Sequence, residues 1–317
     1  MAKTAYRVRN WKDYNKSLVQ RGSLIFWFSE DVIRQWETGQ EMGAHGNRKY
    51  TDMAIVCGLT MRQLFRLSLR AAEGMMTSVI QLMKLKISIP DYSTLCRRGK
   101  NIKINLGARC KDTARHILVD STGVQVMGES EWKQFKYGVV KSKYQTWRKL
   151  HIAIDAANQD ILAASVTESV RLDGNYLPGL IEKIAGPIDQ ITGDGAYDKK
   201  SCYQAAYKKN AKAIFPPQHN ACIQRNKYKK DPALDMRDKA IFNIGRGEGR
   251  EFRLKEWKTQ NNYHKRSLIE TMMFRMKSIF GDQIRSRTFE NQRTDLLVRC
   301  YAINRINTLG LPISQAI

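Results

Sequence analysis

Apolar residues recur at helical spacing through the first third of the chain. The stretch from position 52 to 70 carries leucine and isoleucine at roughly helical intervals, and a second such pattern continues to position 82. The segment SEDVIRQWETG predicts an earlier helix from Ser29 to Gly39, and GAHGN (residues 43–47) predicts a loop. Residues 1–112 are therefore expected to form an all-helical domain.

A short basic helix is expected after Pro90, where the longer pattern breaks. It carries Arg97, Arg98 and Lys100 near its end. A helix, a short break and a short basic helix form the outline of a helix-turn-helix, which would place these three side chains on DNA. An ordinary helical bundle with a solvated basic end has the same outline, so the pattern leaves both interpretations open.

From about position 113 the pattern becomes that of β-strands. Apolar runs occur in HILVDSTGVQV, WRKLHIAIDA and DILAASVTES, with a hairpin turn at residues 157–160. A helix, a strand, a helix and a strand follow, in LPGLIEKIAG, DQITGDGAYD, CYQAAYKKN and AKAIFPP. Further helices are expected from about Tyr263 and over about Asn291 to Leu309.

Three strands in meander order, followed by alternating helices and strands, predict an α/β fold. The expected architecture is a mixed sheet with flanking helices, the outline of a ribonuclease-H-like core. We expect a helical domain over residues 1–112 and a second domain with this sheet over 113–317. Residues 218 to about 262 are polar, basic and glycine-containing, and we interpret them as an insertion with little core of its own.

The charge balance indicates a polyanionic partner. The 317 residues include 54 Lys and Arg against 30 Asp and Glu, a formal net charge of +24. A globular chain this basic usually binds nucleic acid, and a membrane surface is the weaker alternative. The sequence has no apolar run that predicts a transmembrane helix, and its first residues do not resemble a signal peptide. The six cysteines are scattered without a C-x-x-C pair, which argues against disulfides or zinc and fits a reducing cytosol.

Two aspartates follow apolar strand runs, where a carboxylate without a partner is costly. Asp120 follows Ile-Leu-Val, and Asp194 follows Ile-Thr-Gly. Their burial suggests a compensating cation, although each could instead cap a neighbouring turn. Asp155 ends a similar run, but a hairpin turn comes directly after it, so we assign it to that turn. His151 alternates with apolar residues and is interpreted as structural.

One helix near the C-terminus presents a chemically distinctive stripe. Tyr263, Arg266, Glu270 and Lys277 are spaced three, four and seven positions apart, so they fall on one face. A carboxylate between two cations and a phenol suits a metal-bound phosphate. An amphipathic helix with internal charge pairs would explain the amphipathicity, but not why the stripe follows two strand-borne aspartates.

These motifs together resemble the DDE transposases of bacterial insertion sequences, within the insertion-sequence-five family. The stripe matches the pattern Y-x2-R-x3-E-x6-K, while VDSTG and DGAYD resemble the two Asp motifs of the family. WRKLH, PDYSTL and LRAAEG also resemble family segments, so the similarity spans nearly the whole chain.

The resemblance implies that Asp120, Asp194 and Glu270 are the catalytic residues and bind two Mg²⁺ ions, for which Mn²⁺ would substitute. It implies water attack at the ends of an element, followed by attack of the exposed 3′-hydroxyls on target DNA. The partners would be double-stranded DNA, as terminal inverted repeats and target, and a second copy of the chain in a dimer. The resemblance also implies that the helical domain over residues 1–112 binds DNA and that the domain over 113–317 is catalytic. The expected location is the bacterial cytoplasm, associated with the nucleoid.

A second basic segment surrounds Trp147, next to Arg148 and Lys149, and we expect these three residues to contact DNA. Trp147 and Trp257 could each stack on an unpaired base, although a packed tryptophan is the more common case. Two alternatives to an active transposase stay open: a transposase-derived DNA-binding regulator without cleavage activity, and a plain nuclease on the same fold.

Overall fold

The computed structural model describes residues 6–37, 49–109, 113–127, 147–224 and 230–316. The chain forms two compact units, residues 1–107 with 286–317, and residues 108–285. The predicted loop GAHGN lies outside the described residues. The helix predicted from Ser29 to Gly39 is shorter than expected, since it covers Glu30–Arg34 and residues 35–37 are not helical. No helix in the described ranges is long and apolar enough to cross a membrane.

The first unit is helical, and four of its helices begin at a side-chain cap. Thr51, Ser68, Asp91 and Thr288 accept hydrogen bonds from backbone N–H groups in the first turns of the helices that start at Asp52, Leu69, Tyr92 and Phe289. A two-stranded antiparallel pair joins β1 (Tyr6–Val8) to β8 (Ser314–Ala316). The helices of this unit are α1 (Trp11–Gln20), α2 (Leu24–Trp27), α3 (Glu30–Arg34), α4 (Asp52–Leu64), α5 (Leu69–Leu82), α6 (Tyr92–Gly99) and, from the C-terminal segment, α12 (Phe289–Thr308).

The helix predicted over positions 52–70 is shorter than expected. Helix α4 ends at Leu64, because Arg66 adopts a left-handed conformation with φ of 52° and Ser68 then caps α5. The apolar spacing continued across this turn, which is why the sequence did not reveal it. The connection between α5 and α6, residues 83–91, is longer than the connection between α4 and α5, residues 65–68.

The second unit contains a mixed sheet of strand order β4-β3-β2-β5-β6, with β7 paired to β2. Strand β2 is antiparallel to β3 and parallel to β5, and β3 is antiparallel to β4. The strands are β2 (Arg115–Val126), β3 (Trp147–Asp155), β4 (Ile161–Glu168), β5 (Ile188–Thr192), β6 (Lys212–Ile214) and β7 (Gln283–Ile284). The meander followed by parallel strands confirms the predicted α/β class.

Helices cover the sheet of the second unit. They are α7 (Leu177–Glu182), α8 (Lys200–Lys208), α9 (Asp235–Ile244), α10 (Arg250–Gln260) and α11 (Ser267–Phe280). One apolar cluster joins Ile117 and Val119 of β2 to Leu180 of α7 and Tyr203 of α8. The apolar strand runs seen in the sequence are thus buried beneath helices, as parallel strands require.

Helix α12 belongs to the first unit, whereas the sequence placed it with the second. Its Asp295 carboxylate is 2.7 Å from Nη1 of Arg62 on α4, and both side chains are buried. Arg299 on the same helix donates to Oε1 of Gln63 at 3.0 Å. Both buried polar side chains of α12 are paired with residues of α4, as buried polar groups require partners. The spacing of apolar residues along the sequence does not show which helix provides those partners.

The insertion has more structure than predicted. Helices α9 and α10 form a small apolar cluster in which Ala240, Ile244 and Trp257 pack on Ile214 of β6. Trp257 is only 7% exposed, so the stacking role considered for it is wrong. This small core could not be predicted from the sequence, because its few apolar residues are separated by basic ones.

Candidate active site

The two strand-borne aspartates lie at the same edge of the sheet. Asp120 lies within β2, and Asp194 lies two residues beyond the end of β5. The two strands are parallel neighbours with Leu118 opposite Thr192. Each aspartate is two positions beyond one of these paired residues, so the register brings the two carboxylates into one neighbourhood.

A glycine allows the chain to turn tightly just before Asp194. A Cβ atom on Gly193 would meet the Tyr197 ring at 2.7 Å and Val119 Cγ2 at 2.9 Å, distances that side chains do not tolerate. The Asp194 side chain then accepts a hydrogen bond from the Ala196 N–H at 2.9 Å. Asp194 therefore does cap a turn, as one interpretation of the sequence held, and this cap fixes its carboxylate at the strand end.

Glu270 reaches the site from the first turn of α11. The helix was predicted to open near Tyr263, but residues Tyr263–Arg266 form a 3-10 turn and the α-helix begins at Ser267. Asn262, with φ of 52°, sets the direction of this turn. The difference shifts the angular spacing of Tyr263 and Arg266 relative to Glu270, because a 3-10 turn advances faster per residue than an α-helix.

Arg266 connects the carboxylates. Its Nη1 donates to Asp120 Oδ2 at 3.1 Å, and its Nη2 donates to Oε1 of Glu270. The guanidinium carbon lies 6.0 Å from the centre of the Tyr263 ring. Three of the four residues predicted to share one stripe are thus brought together with Asp120. Lys277 lies two turns further along α11 and is half-buried.

Burial and neighbouring charge both act on Asp120. Burial raises its pKa above the ordinary value, and the negative charges of Asp194 and Glu270 act in the same direction. A hydrogen bond from the Ser121 N–H at 2.8 Å and the charge of Arg266 oppose the shift. The Tyr263 pKa is also raised, first by burial and then by the three carboxylates. The charges of all three acids therefore meet at one place, which requires a positive counter-charge.

The donor set fits a hard divalent cation, since every candidate ligand is a carboxylate oxygen. Within the described ranges, no group of three His, Cys, Asp or Glu side chains is close enough to hold a metal ion. The Arg266 guanidinium instead supplies the positive charge between Asp120 and Glu270.

A second aspartate of the DGAYD segment anchors the insertion to the site. Asp198 is 9% exposed and receives hydrogen bonds from Arg237 Nε at 2.6 Å and Nη2 at 3.2 Å. It also accepts from the Gln218 N–H at 3.1 Å and from the Tyr203 hydroxyl at 3.3 Å. Sequence analysis did not single out Asp198 or Arg237. The only signal was a second acidic residue, four positions after Asp194 in the same DGAYD segment.

The basic segment at the start of β3 is partly engaged within the fold. Lys149 Nζ is 2.8 Å from Asp173 Oδ1 and donates to the Arg171 carbonyl at 3.3 Å. Arg148 donates to the Trp147 carbonyl at 3.2 Å. The Trp147 side chain is 39% exposed and lies over Gly123, where a Cβ atom would be 3.2 Å from its ring. Of these three residues, Trp147 leaves the largest surface for a ligand.

The two residues set aside by the sequence analysis are structural, as expected. Asp155 is buried and accepts from the Ala157 N–H at 2.8 Å, which closes the hairpin turn. His151 is fully buried, with Nε2 2.9 Å from the Thr167 hydroxyl and its ring stacked on Tyr176.

The three cations predicted on the short basic helix belong to the helical unit. Arg98 donates to the Tyr50 carbonyl at 2.6 Å and also pairs with Asp52. Arg97 and Lys100 are exposed. The three residues are therefore not equivalent. Arg98 binds Tyr50 and Asp52 at the start of α4, whereas Arg97 donates within its own helix, to the Ser93 carbonyl and the Thr94 hydroxyl, each at 3.4 Å.

Comparisons with known proteins identify the family of the chain. A profile described as "Transposase DDE domain" matches residues 111–305, and a second with the same description matches residues 19–129. The first match covers more than half of the 317-residue chain and includes Asp120, Asp194 and Glu270.

Two similar solved structures are also transposases. One is the piggyBac transposase synaptic complex with hairpin DNA, at 11% identity over 96% of this chain and 76% of that chain, with a TM-score of 0.42. Another is the Drosophila P element transposase strand transfer complex, at 10% identity over 94% of this chain and 86% of that chain, with a TM-score of 0.31. Likenesses this remote carry no conclusion about the chain. The profile match over more than half of the sequence does, and by it the chain belongs to the DDE transposase family.

Proposed function

We propose that this transposase binds the terminal inverted repeats of an insertion sequence, cleaves DNA at the element ends by metal-dependent hydrolysis, and joins the resulting 3′-hydroxyls to target DNA. The observation that carries the proposal is the contact of one guanidinium with Asp120 and Glu270, together with the influence of Asp194 on the half-buried Asp120 carboxylate. The family membership supports DNA cutting and joining as the reaction class.

The residues that would hold the metal are Asp120, Asp194 and Glu270. We propose two Mg²⁺ ions, with Mn²⁺ able to substitute, because both take oxygen ligands. When bound, two such ions supply polarisation of the attacking and the leaving oxygen of a phosphodiester. The carboxylates fix the place of the reaction, since two come from strands and the third comes from a helix packed on the same sheet.

Three side chains of the 263–277 stretch would act on the DNA. The Arg266 guanidinium is paired with the carboxylates, and a metal charge at the same oxygens would free it for a phosphate. Tyr263 offers a hydroxyl near this position, and Lys277 offers a further cation along α11. These groups would orient the DNA strand and neutralise its charge, while the proton chemistry takes place at the bound water or the 3′-hydroxyl.

The helical unit would supply affinity for the element ends. Its candidate contacts are Arg97, Arg98 and Lys100 on α6, and we add Trp147, Arg148 and Lys149 from the sheet unit. The chain would work as a dimer on DNA, because two element ends must be held in one reaction.

A strand-transfer assay tests the proposal. Purified protein is mixed with labelled DNA that carries its own element's ends, a target plasmid and Mg²⁺, beside an Asp120→Ala variant. Joined products from the wild type alone are expected.

The other outcomes separate the alternatives. End-specific binding without nicks or joined products would contradict the proposal and favour a transposase-derived regulator. Nicks without joined products would favour a plain nuclease.

A further inference from the structure

A cavity of about 550 Å³ opens on the helical unit, and all of its lining residues belong to that unit. It lies where the segment before α4 meets the end of α6. Four cationic side chains line it, namely Lys49, Arg97, Arg98 and Lys103. A cavity of this size is large enough for a phosphate and its neighbouring sugar.

The side chains that line the cavity carry a net positive charge, because they include four cations and a single carboxylate. Among its lining residues Asp52 is the one acid, and it is paired with Arg98. The other amino group of Arg98 donates to the Tyr50 carbonyl at 2.6 Å. Arg98 thus acts as a positioning residue that ties α6 to the start of α4. Lys49, Arg97 and Lys103 are exposed around the opening. Lys49 also lies 5.7 Å from the centre of the Tyr50 ring, and Arg97 donates to the Ser93 carbonyl at 3.4 Å.

Two of the neutral hydrogen-bonding groups of the cavity are used inside the protein. The Tyr50 hydroxyl donates to the Ile89 carbonyl at 2.8 Å. The Thr94 hydroxyl donates to Asp91 at 3.0 Å and lies 3.4 Å from Nη2 of Arg97. The exposed amide of Asn101 is the other neutral hydrogen-bonding side chain of the lining, beside four cations, so the lining favours charge over sequence recognition.

We propose that this cavity binds a backbone phosphate of DNA and contributes affinity that does not depend on base sequence. The inference rests on the proposed function, in that the ligand is the DNA of the transposition reaction. It adds Lys49 and Lys103 to the candidate DNA contacts and makes Arg97 a contact of a phosphate. Lys100 does not line the cavity.

The test measures duplex binding by fluorescence anisotropy at several salt concentrations. One duplex carries the element's own end and the other is a scrambled sequence of equal length. The test variant replaces Lys49, Arg97 and Lys103 with Gln. The matched control replaces Lys12, Lys84 and Lys86, three exposed lysines of the same unit, with Gln.

The test variant is expected to bind both duplexes roughly tenfold more weakly or worse, by the same factor. The slope of log affinity against log salt should become shallower by about 1, which corresponds to one lost phosphate contact. The control should change both quantities much less. The single variant Lys103→Gln should weaken binding to both duplexes by a smaller common factor, and it shows whether the effect of the triple variant comes from a folding defect.

Three results would overturn the proposal. A loss confined to the cognate duplex would mean that the cavity reads bases, and unchanged affinity would mean that it does not contact DNA. An equal loss in the control would mean that overall charge explains the effect. Failure of the wild type to bind either duplex would instead contradict the proposed function itself.

Discussion

Two arginine–carboxylate pairs, one in each unit, show how accessibility separates a structural contact from a working one. Arg62 and Asp295 are 2.7 Å apart in the helical unit, with side chains 9% and 2% exposed. Arg266 and Asp120 are 3.1 Å apart at the sheet edge, with side chains 23% and 18% exposed. The first pair is closed to solvent. The second is open, and Arg266 also contacts Glu270, which is more than half exposed.

The difference in burial predicts a difference in use. When one member of a buried pair is removed, neither water nor an ion can take its place, so an unpaired charge remains in the interior. An open pair can exchange its cation for a metal ion or a phosphate with little cost to the fold. The following predictions test whether the two pairs really differ in this way, beginning with the largest effect.

Glu270→Gln should keep DNA binding and abolish nicking, by roughly a thousandfold or more, because it removes a ligand charge at similar size. Gel-based nicking and anisotropy on the same protein check the two halves. Glu256→Gln, which changes an exposed carboxylate on α10, is the control. Nicking at the wild-type rate would contradict the assignment of Glu270.

Asp295→Ala should lower the free energy of unfolding by about 3–5 kcal/mol, since it leaves Arg62 buried without its partner. Urea denaturation measures this change. Asp120→Ala should cost much less, because its partner Arg266 retains Glu270 and access to water. An equal decrease in the free energy of unfolding in the two variants would show that the buried pair and the open pair contribute equally to stability.

Arg266→Gln should reduce nicking about a hundredfold, comparable to the removal of one donor from a developing charge. The same variant should bind Mn²⁺ about tenfold more tightly, because the guanidinium no longer competes for Asp120 and Glu270. Titration calorimetry without DNA measures the second effect. Lys265→Gln is the control, and weaker Mn²⁺ binding by Arg266→Gln would refute the competition.

Acid should destabilise the sheet unit through His151, whose pKa is lowered from 6.5 to about 4, mainly by burial. Between these values the unfolded chain binds more protons than the folded one, so stability falls as the pH drops through the window. At pH 5 this residue should cost about 2 kcal/mol relative to pH 7. His151→Gln should lose correspondingly less stability over that range in urea denaturation. An unchanged pH dependence would mean that His151 is not the responsible group.

The sequence was informative where local pattern and chemistry coincide. Asp120 and Asp194 could be predicted because each interrupts an apolar strand run, and a parallel sheet brings such positions together. Glu270 could be predicted because the spacing of its neighbours on one helix face is distinctive.

The sequence was silent where the choice of partner is a long-range matter. Periodicity shows that α12 is helical but not that Asp295 pairs with Arg62. The Asp198–Arg237 pair likewise joins residues 39 positions apart. The turn at Arg66 and the 3-10 turn at Tyr263–Arg266 escaped prediction because apolar spacing hardly distinguishes a short break from a continuous helix.

The position of α12 in the helical unit also has a consequence for synthesis on the ribosome. The sheet unit is one continuous stretch, residues 108–285, whereas the helical unit also needs residues 286–317. Domains usually fold in the order in which they emerge. Here the unit that begins first must wait for the last helix, and until then Arg62 has no Asp295. The nascent chain should therefore complete its catalytic fold before it can complete the helical unit.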